Sequence, residues 1–360
     1  MTKQTDTLIV GGGFAGVAAA QKLAENGVDV TLVDRKNYFE VTFAIVRNVA
    51  DPQRMGNTPR KFYRDFVKGA FIQASVESMN DKEAKLTNGE RIRFNRAIIA
   101  SGSRYPTLPF AKSKVAFDYS ERSQEMLDEH ATLAAAKSVL VIGGGTVGVE
   151  FAGDIASIFP DKEITLAHAS SMLLDRSKPK AQRKALEQLT AKGVKVLFNR
   201  RFAKEGDVYR CSLTDEILQP DLAYLCVGMV PNTEFLRAEL PDILDDKGLI
   251  KVDSFMQIRG YENLYALGDC ADLDTNKHGY VARVQGTLLG EMLLKSAAGK
   301  KVKPYKTPTF AIITTTGTDS GVAQMPFGVL TWNFLVNLKQ KDLGIGEIYK
   351  ALGTEPDKLN

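Results

Sequence analysis

The most constraining feature of the sequence is a segment that occurs twice, first at Leu8–Ala20 and again at Leu140–Ala152. Each copy begins with apolar residues typical of a buried strand, continues with Gly-x-Gly-x-x-Gly, and then changes to a helical pattern. A strand, a glycine-rich turn and a helix in this order form the phosphate-binding part of a mononucleotide-binding unit. Two copies therefore predict two nucleotide sites, between which a hydride or a pair of electrons passes.

The first copy has the residues that dinucleotide binding requires. Gly11 permits a tight turn, Gly13 lets the backbone approach a pyrophosphate, and Gly16 lets helix and strand pack closely. The N-terminus of the following helix presents free N–H groups to the phosphates. Asp34 ends the next predicted strand and can accept hydrogen bonds from an adenosine ribose. This unit is predicted to bind a dinucleotide.

The second copy differs from the first at two informative positions. His168 stands where the first copy has Asp34, so the carboxylate that would repel a 2′-phosphate is missing and NADPH becomes acceptable beside NADH. Alternatively, His168 merely ends a strand at the surface. Glu150 replaces Ala18 in the helix, where it either contacts the nicotinamide or simply complements the helix dipole.

The remaining pattern predicts an α/β chain. A hairpin is predicted around Asn88-Gly89, and helices are predicted over 179–192 and 281–295. We predict two Rossmann-like dinucleotide-binding domains, the second inserted in the first, and a small C-terminal domain. The first domain is predicted to comprise residues 1–112 and 254–305, the second residues 113–253, and the C-terminal segment residues 306–360.

Composition argues against several classes of function. Lys and Arg number 47 against 43 Asp and Glu, and a net charge of +4 gives no reason to expect a nucleic-acid partner. No closely spaced pair exists among Cys211, Cys226 and Cys270, which argues against a disulfide-bonded fold and a dithiol redox centre. No metal-ligand cluster is visible, and His130 and His278 are expected to be structural or surface residues.

No targeting or membrane-spanning segment is predicted. The sequence has neither a signal-peptide core nor an apolar run of the roughly 18 residues that a spanning helix needs. N-myristoylation requires glycine directly after the initiator methionine, whereas Thr2 occupies that position. We therefore expect a cytoplasmic protein that is soluble or peripherally bound to a membrane or lipid surface.

Two segments outside the repeats allow more than one interpretation. The C-terminal segment could cover the acceptor site and rest on an anionic membrane, or it could be core and a dimer contact. Its stretch 327–338 is followed by Lys339 and Lys341, and its apolar residues are Phe327, Leu330, Trp332, Phe334, Leu335 and Leu338. The basic and aromatic stretch 59–68 is expected to be a solvated helix face.

Together these motifs resemble the two-dinucleotide-binding-domain flavoprotein family. Within it they are similar to the branch of ferroptosis suppressor proteins and apoptosis-inducing-factor homologues, which is related to type II NADH dehydrogenases. The resemblance rests on the two glycine motifs, on Ala100-Ser101-Gly102-Ser103 and on Leu267-Gly268-Asp269, and it covers nearly the whole chain. It implies FAD in the first domain and NADH or NADPH in the second.

The motifs and the resemblance together indicate the residues of each site. The expected FAD contacts are Gly11, Gly12, Gly13, Phe14, Ala15, Gly16, Asp34, Arg35, Arg47, Val76, Ser101, Gly102 and Asp269. The expected NAD(P)H contacts are Gly143, Gly145, Thr146, Val147, Gly148, Glu150, His168, Val227 and Gly228. Glu150 is the expected catalytic residue, and no metal is expected.

The activity implied by the resemblance is FAD-dependent oxidation of NAD(P)H with reduction of a lipid-soluble quinone, such as ubiquinone or vitamin K. One alternative is a flavoprotein reductase of a ferredoxin-like protein. A second is a cofactor-sensing binding protein, similar to some apoptosis-inducing-factor relatives. Peripheral membrane contact and a homodimer formed through the C-terminal segment are further expectations.

Overall fold

The computed structural model describes residues 2–273, 277–330 and 333–357, and only the backbone of residues 333–335 and 338. Trp332 therefore lies outside the described residues, as do the side chains of Phe334, Leu335 and Leu338.

The described helices are α1 (Phe14–Ala24), α2 (Ile45–Ala50), α3 (Pro52–Met55), α4 (Tyr119–Ala135), α5 (Thr146–Ile158), α6 (Pro179–Ala191), α7 (Gly279–Ala297), α8 (Asn333–Asp342) and α9 (Ile345–Ala351). The described strands are β1 (Thr2–Val10), β2 (Val30–Asp34), β3 (Tyr38–Glu40), β4 (Arg60–Phe62), β5 (Ala70–Gln73), β6 (Val76–Met79), β7 (Glu83–Leu86), β8 (Arg91–Ile99), β9 (Ser103–Arg104), β10 (Ser138–Ile142), β11 (Glu163–Ala167), β12 (Lys195–Leu197), β13 (Phe202–Glu205), β14 (Val208–Cys211), β15 (Ile217–Leu218), β16 (Leu222–Leu225), β17 (Val230–Pro231), β18 (Leu264–Ala266), β19 (Ile312–Thr315), β20 (Gly321–Met325) and β21 (Gly328–Leu330).

The first glycine motif belongs to a sheet in which β5, β2, β1, β8 and β18 run parallel to their neighbours. One edge of β8 is shared by two strands. Its residues 91–93 pair with β7 in the predicted hairpin, and its residues 97–99 pair with β18. Strand β18 therefore completes the sheet that β1 begins, although more than 250 residues of chain separate them.

The second glycine motif belongs to a separate parallel sheet in the order β12-β11-β10-β16. This whole sheet lies in sequence between β8 and β18, which are neighbours in the first sheet. The second unit is thus inserted in the first, as the sequence predicted. The return to the first unit comes earlier than the predicted boundary, because Leu236 and Leu240 already share a buried cluster with Leu8.

The C-terminal residues contribute to both units. Strands β19, β20 and β21 form an antiparallel sheet that contacts α5 and α6, and α8 packs on the same sheet. Helix α9 reaches the core of the first unit, where Ile345, Ile348 and Tyr349 are buried. The Tyr349 ring meets Phe39 edge to face, with 5.9 Å between ring centroids. Much of this segment is therefore core.

The stretch 59–68 is not the solvated helix face that its composition suggested. It forms β4, paired antiparallel with β3, and a short 3-10 turn that begins at Tyr63. The buried Arg60 guanidinium donates to Asn48 Oδ1 at 2.9 Å, and the buried Tyr63 hydroxyl donates to the carbonyl oxygen of Gly12 at 2.7 Å. These groups thus find hydrogen-bond partners inside the protein, although Arg60 Nε has none.

A buried ion pair joins the first unit to helix α4. Glu40 Oε1 and Oε2 accept hydrogen bonds from Arg122 Nε at 2.8 Å and Nη2 at 3.2 Å. Nη2 also donates to the carbonyl oxygen of Phe110 at 2.7 Å. Burial raises the pKa of Glu40, but the positive charges of Arg122 and Lys36 outweigh it and bring that pKa below its usual value. Glu40 is therefore a buried carboxylate that depends on its partners.

Arg122→Ala is expected to lower the free energy of unfolding by about 3–5 kcal/mol, because the Glu40 carboxylate stays buried without its main partner. Urea unfolding followed by circular dichroism measures this. The control is Arg64→Ala, since the Arg64 side chain is 73% exposed beside Asp65. Its expected loss is at most about 1 kcal/mol. Similar losses in the two variants would contradict the role given to the Glu40–Arg122 pair.

Candidate functional site

A cavity of about 870 Å³ lies where the two units meet, and both glycine loops line it. From the first unit it receives the predicted residues Gly11, Gly12, Gly13, Phe14, Ala15, Asp34, Arg35, Val76, Ser101, Gly102 and Asp269. From the second unit it receives Gly145, Thr146, Val147 and Glu150. The fold thus brings together residues that are far apart in the sequence.

The first glycine loop packs closely against the end of the neighbouring strand β8 and against its own helix α1. Gly11 has a φ of +100°, and a Cβ added there would lie 2.4 Å from the carbonyl oxygen of Ala100. A Cβ on Gly16 would lie 1.8 Å from the carbonyl oxygen of Gly11. Around Gly13, by contrast, no atom lies within 4 Å of an added Cβ, so the N-terminus of α1 is open towards the cavity. This geometry suits a phosphate.

Asp34 is oriented by backbone groups at the cavity wall. Its Oδ2 accepts a hydrogen bond from the Gly12 N–H at 2.7 Å, and its Oδ1 accepts one from the Lys36 N–H at 2.8 Å. A carboxylate oxygen can accept more than one hydrogen bond. Asp34 can therefore keep both contacts while it accepts hydrogen bonds from ribose hydroxyls.

Asp269 follows β18 at another wall of the cavity. Its Oδ2 accepts hydrogen bonds from Ser103 Oγ at 2.7 Å and from Lys112 Nζ at 3.1 Å. Burial raises the pKa of Asp269, but Lys112 and Ser103 outweigh burial and bring it below its usual value. A second ammonium group, that of Lys277, donates to the carbonyl oxygen of Ala271 at 2.6 Å. The wall therefore carries an ionised carboxylate between two lysines.

The second glycine loop repeats the geometry of the first. Gly143 has a φ of +117°, and a Cβ on Gly148 would lie 1.9 Å from the carbonyl oxygen of Gly143. An added Cβ on Gly145 would have no atom within 4 Å. The N-terminus of α5 is therefore open in the same way as that of α1, and it can hold a second pyrophosphate.

Glu150 is buried at the cavity wall and is held by the C-terminal residues. Its Oε1 accepts hydrogen bonds from the Thr315 N–H at 3.1 Å and from Lys339 Nζ at 3.0 Å. Lys339 also donates to the carbonyl oxygen of Ile313. The carboxylate thus fixes α8 and β19 against the first turns of α5. These contacts go beyond the helix-dipole interpretation, and a contact with nicotinamide stays a prediction.

Some predicted residues do not line the cavity: Gly16, Arg47, Gly143, Gly148, His168, Val227 and Gly228. Arg47 was expected to contact FAD, but the structure buries it elsewhere. Its Nη2 donates to Asp154 Oδ1 at 2.6 Å and to the carbonyl oxygen of Gly317 at 3.0 Å. Burial raises the pKa of Asp154 to about 6, with Arg47 opposing the shift. Motif spacing carries no information on this burial, so the sequence could not exclude it.

The cavity also contains residues that the sequence did not indicate. Lys112 and Lys277 flank Asp269, as described above. His278 was expected to be structural or exposed, yet it lines the cavity, and its ring lies 5.8 Å from that of Phe310. Burial lowers the pKa of His278. Its position soon after the Gly268-Asp269 motif, at the start of a predicted helix, was the signal that could have found it.

Comparison with known proteins agrees with this geometry. The family model of the pyridine nucleotide-disulphide oxidoreductases matches residues 5–287. The chain belongs to this family. Ferroptosis suppressor protein 1 of Xenopus tropicalis is 30% identical, over 96% of this chain and 95% of its own length. The human protein of the same name is 30% identical over 97% and 96%. Apoptosis-inducing factor homolog A of Dictyostelium discoideum is 27% identical over 81% and 77%.

Among solved structures, NDH2 of Plasmodium falciparum in complex with NADH has the same overall fold as this oxidoreductase. The TM-score is 0.77 at 15% identity, and the match covers 96% of this chain and 97% of that one. These comparisons confirm the predicted family resemblance and the predicted fold of two dinucleotide-binding units.

The predicted enzyme class and cofactors are also confirmed, and the protein is an FAD-dependent NAD(P)H oxidoreductase. The observed residues fit both cofactors, because two open helix N-termini, the oriented carboxylate of Asp34, and Asp269 with its partners surround one cavity. Among residues 2–273, 277–330 and 333–357, no group of three or more potential metal ligands occurs. No helix in the described part of this oxidoreductase is long and apolar enough to span a membrane.

Asp269→Ala is expected to lower FAD retention, because it removes the carboxylate that organises Ser103 and Lys112 at the cavity wall. The ratio of flavin absorbance to protein absorbance after purification measures the loss. Asp65→Ala, which removes an exposed carboxylate, should keep the wild-type ratio. Full flavin occupancy in Asp269→Ala would show that Asp269 does not help to hold FAD.

Proposed function

We propose that this oxidoreductase passes a hydride from NAD(P)H to FAD and then two electrons to a lipid-soluble quinone of the ubiquinone or vitamin K type. The observation that carries the proposal is the single cavity lined by both glycine loops. Because Gly13 and Gly145 both face it, one cavity would hold both cofactors, and direct hydride transfer between them requires that they lie close together.

The cysteines support an acceptor that needs no thiol chemistry. All three are free, and of them Cys226 lines the cavity, whereas Cys211 and Cys270 are buried in other apolar clusters. Burial raises the pKa of Cys226 to about 12, so its thiol stays protonated and poorly nucleophilic at neutral pH. The described residues thus provide no dithiol beside the cavity, unlike the site of a disulfide reductase.

The apolar part of the cavity wall supports a ring-shaped, lipid-soluble acceptor. Phe14 and Phe43 line it with their rings stacked at 5.8 Å, and Val46, Val147 and Ala282 extend the apolar surface. A quinone ring presents flat apolar faces to such side chains, whereas its two carbonyl oxygens need polar partners. His278 and the lysines beside Asp269 are polar groups at the same cavity.

In this proposal the protein binds and orients, since FAD, when bound, supplies the two-electron redox chemistry. The N–H groups at the starts of α1 and α5 hold the two pyrophosphates. Asp34 holds the ribose of FAD, and Asp269 with Lys112 holds a further part of it. Glu150 lines the cavity and keeps β19 and α8 packed on α5 behind this part of the wall.

The test is an anaerobic two-step experiment on the purified FAD-loaded protein. Mixing with NADH should bleach the flavin, and subsequent addition of a soluble ubiquinone analogue should restore its absorbance. Bleaching without recovery on quinone would overturn the proposed acceptor and favour a ferredoxin-like partner. No bleaching would overturn the proposed turnover and favour a cofactor-sensing binding protein.

Glu150→Gln is expected to slow flavin reduction by NADH at least about tenfold while FAD stays bound, because the neutral amide loses the ion pair with Lys339 that fixes this wall. Stopped-flow absorbance under anaerobic conditions gives the rate. The matched control is Glu163→Gln, which removes an exposed carboxylate from β11 of the same unit. Equal rates in wild type and Glu150→Gln would exclude Glu150 from the site.

We further propose that this oxidoreductase is cytoplasmic, contacts a membrane peripherally and forms a homodimer. Support comes from Phe327, which is 77% exposed at the turn between β20 and β21, and from the exposed lysines Lys300, Lys301 and Lys303. Co-sedimentation with anionic vesicles tests membrane contact, and analytical ultracentrifugation tests dimerisation.

A further inference from the structure

The two nucleotide-binding units place different side chains in equivalent positions. In the first unit, the Gly12 N–H donates to Asp34 Oδ2 at 2.7 Å. In the second unit, the Gly144 N–H donates to His168 Nδ1 at 3.0 Å. Because Asp34 stands at the ribose position of the first unit, His168 stands at the ribose position of the second.

The hydrogen bond from Gly144 decides which nitrogen of His168 carries a proton. Nδ1 accepts, so in the neutral ring the hydrogen is on Nε2. Nε2 lies 3.3 Å from the carboxylate of Asp175, and Ser170 Oγ donates to Asp175 Oδ2 at 3.1 Å. The second unit therefore does have a carboxylate beside its ribose position. It belongs to Asp175 in the loop after β11, whereas Asp34 of the first unit ends strand β2.

The backbone that leads to this half-exposed carboxylate is held in place. Leu174, directly before it, is buried with a φ of +55°, and its N–H donates to the carbonyl oxygen of Gly144 at 2.8 Å. A non-glycine residue adopts this left-handed conformation rarely, and only where the surrounding structure holds it. Leu173 packs so closely on Gly144 that an added Cβ there would lie 2.6 Å from Leu173 Cδ2. Asp175 is thus anchored to the glycine loop.

We propose that Asp175, together with His168, makes the second unit select NADH over NADPH. A carboxylate accepts a hydrogen bond from a 2′-hydroxyl, whereas it repels a 2′-phosphate that carries close to two negative charges at neutral pH. This inference rests on the proposed function in one respect, namely that the second unit binds NAD(P)H. It reverses the expectation that His168 leaves the site open to NADPH.

The neighbouring Arg176 could attract a 2′-phosphate and so works against the proposal. Its charge adds to the effect of burial in lowering the pKa of His278, which lines the cavity. Its charge is therefore felt at His278, and the variant Arg176→Gln is measured beside the Asp175 variants.

The experiment compares wild type with Asp175→Asn and Asp175→Ser, using flavin bleaching by NADH and by NADPH under anaerobic conditions. The wild-type protein should react more efficiently with NADH. In both variants the efficiency ratio of NADPH to NADH should rise about tenfold, because one repulsive charge a few ångströms from the phosphate is removed. The control Asp246→Asn removes an exposed carboxylate that lies outside both the second glycine loop and the 168–175 segment, and it should leave the ratio unchanged.

A second readout does not depend on turnover. Isothermal titration of ADP-ribose and of 2′-phospho-ADP-ribose measures binding at the same position without a nicotinamide. Wild type should bind ADP-ribose more tightly than 2′-phospho-ADP-ribose. In Asp175→Asn the ratio of the two dissociation constants should shrink about tenfold. Arg176→Gln should leave the difference unchanged.

The outcomes separate this inference from the proposed function. Bleaching by NADH with an unchanged cofactor ratio in both Asp175 variants would overturn the inference and leave the proposed function standing. A wild-type preference for NADPH, or loss of NADPH binding in Arg176→Gln, would also overturn it. Absence of bleaching by either nucleotide would instead count against the proposed function.

Discussion

The carbonyl oxygen of Gly11 leaves no room for a side chain on Gly16 of α1. The carbonyl oxygen of Gly143 likewise leaves no room for one on Gly148 of α5. An added Cβ on Gly16 or Gly148 would lie 1.8 or 1.9 Å from these oxygens. Helices α1 and α5 can therefore start in direct contact with the ends of β1 and β10. Their N-termini point to where the strands end, so each unit presents its polar backbone groups on the side of the cavity.

The insertion of one unit in the other brings these two ends together. Strand β18, which pairs with β8, follows the whole second sheet in the sequence. Strand β9, where the chain leaves the first unit, pairs with β17, where it returns to that unit. The cavity forms between the units for this reason. The Glu40–Arg122 pair and the Arg47–Asp154 pair then tie elements of the first unit to α4 and α5. Of the four residues in these two pairs, Glu40 alone lines the cavity.

What could be predicted from the sequence was mostly local. The sequence spacing of known motifs predicts the positions of the two glycine turns, of Asp34 and of Asp269. Helix α4 was missed although Asp118 and Glu121 form a capping box at its start, a signal that is present in the sequence. The partners of Glu150 could not be predicted, because Thr315 and Lys339 reach it from the other end of the chain. Likewise, no pattern separates a surface arginine from the buried Arg47.

The burial of α9 in the first unit has a consequence for how the chain is made. The sheet that begins with β1 needs β18, and its core needs α7 and Tyr349 of α9. The sheet of the second unit, by contrast, is complete in sequence at β16. On the ribosome, where chain emerges from the N-terminus, the second unit can close first. The core around β1, which starts to form with α1, β2 and β8, is completed only when α7 and α9 have also been added.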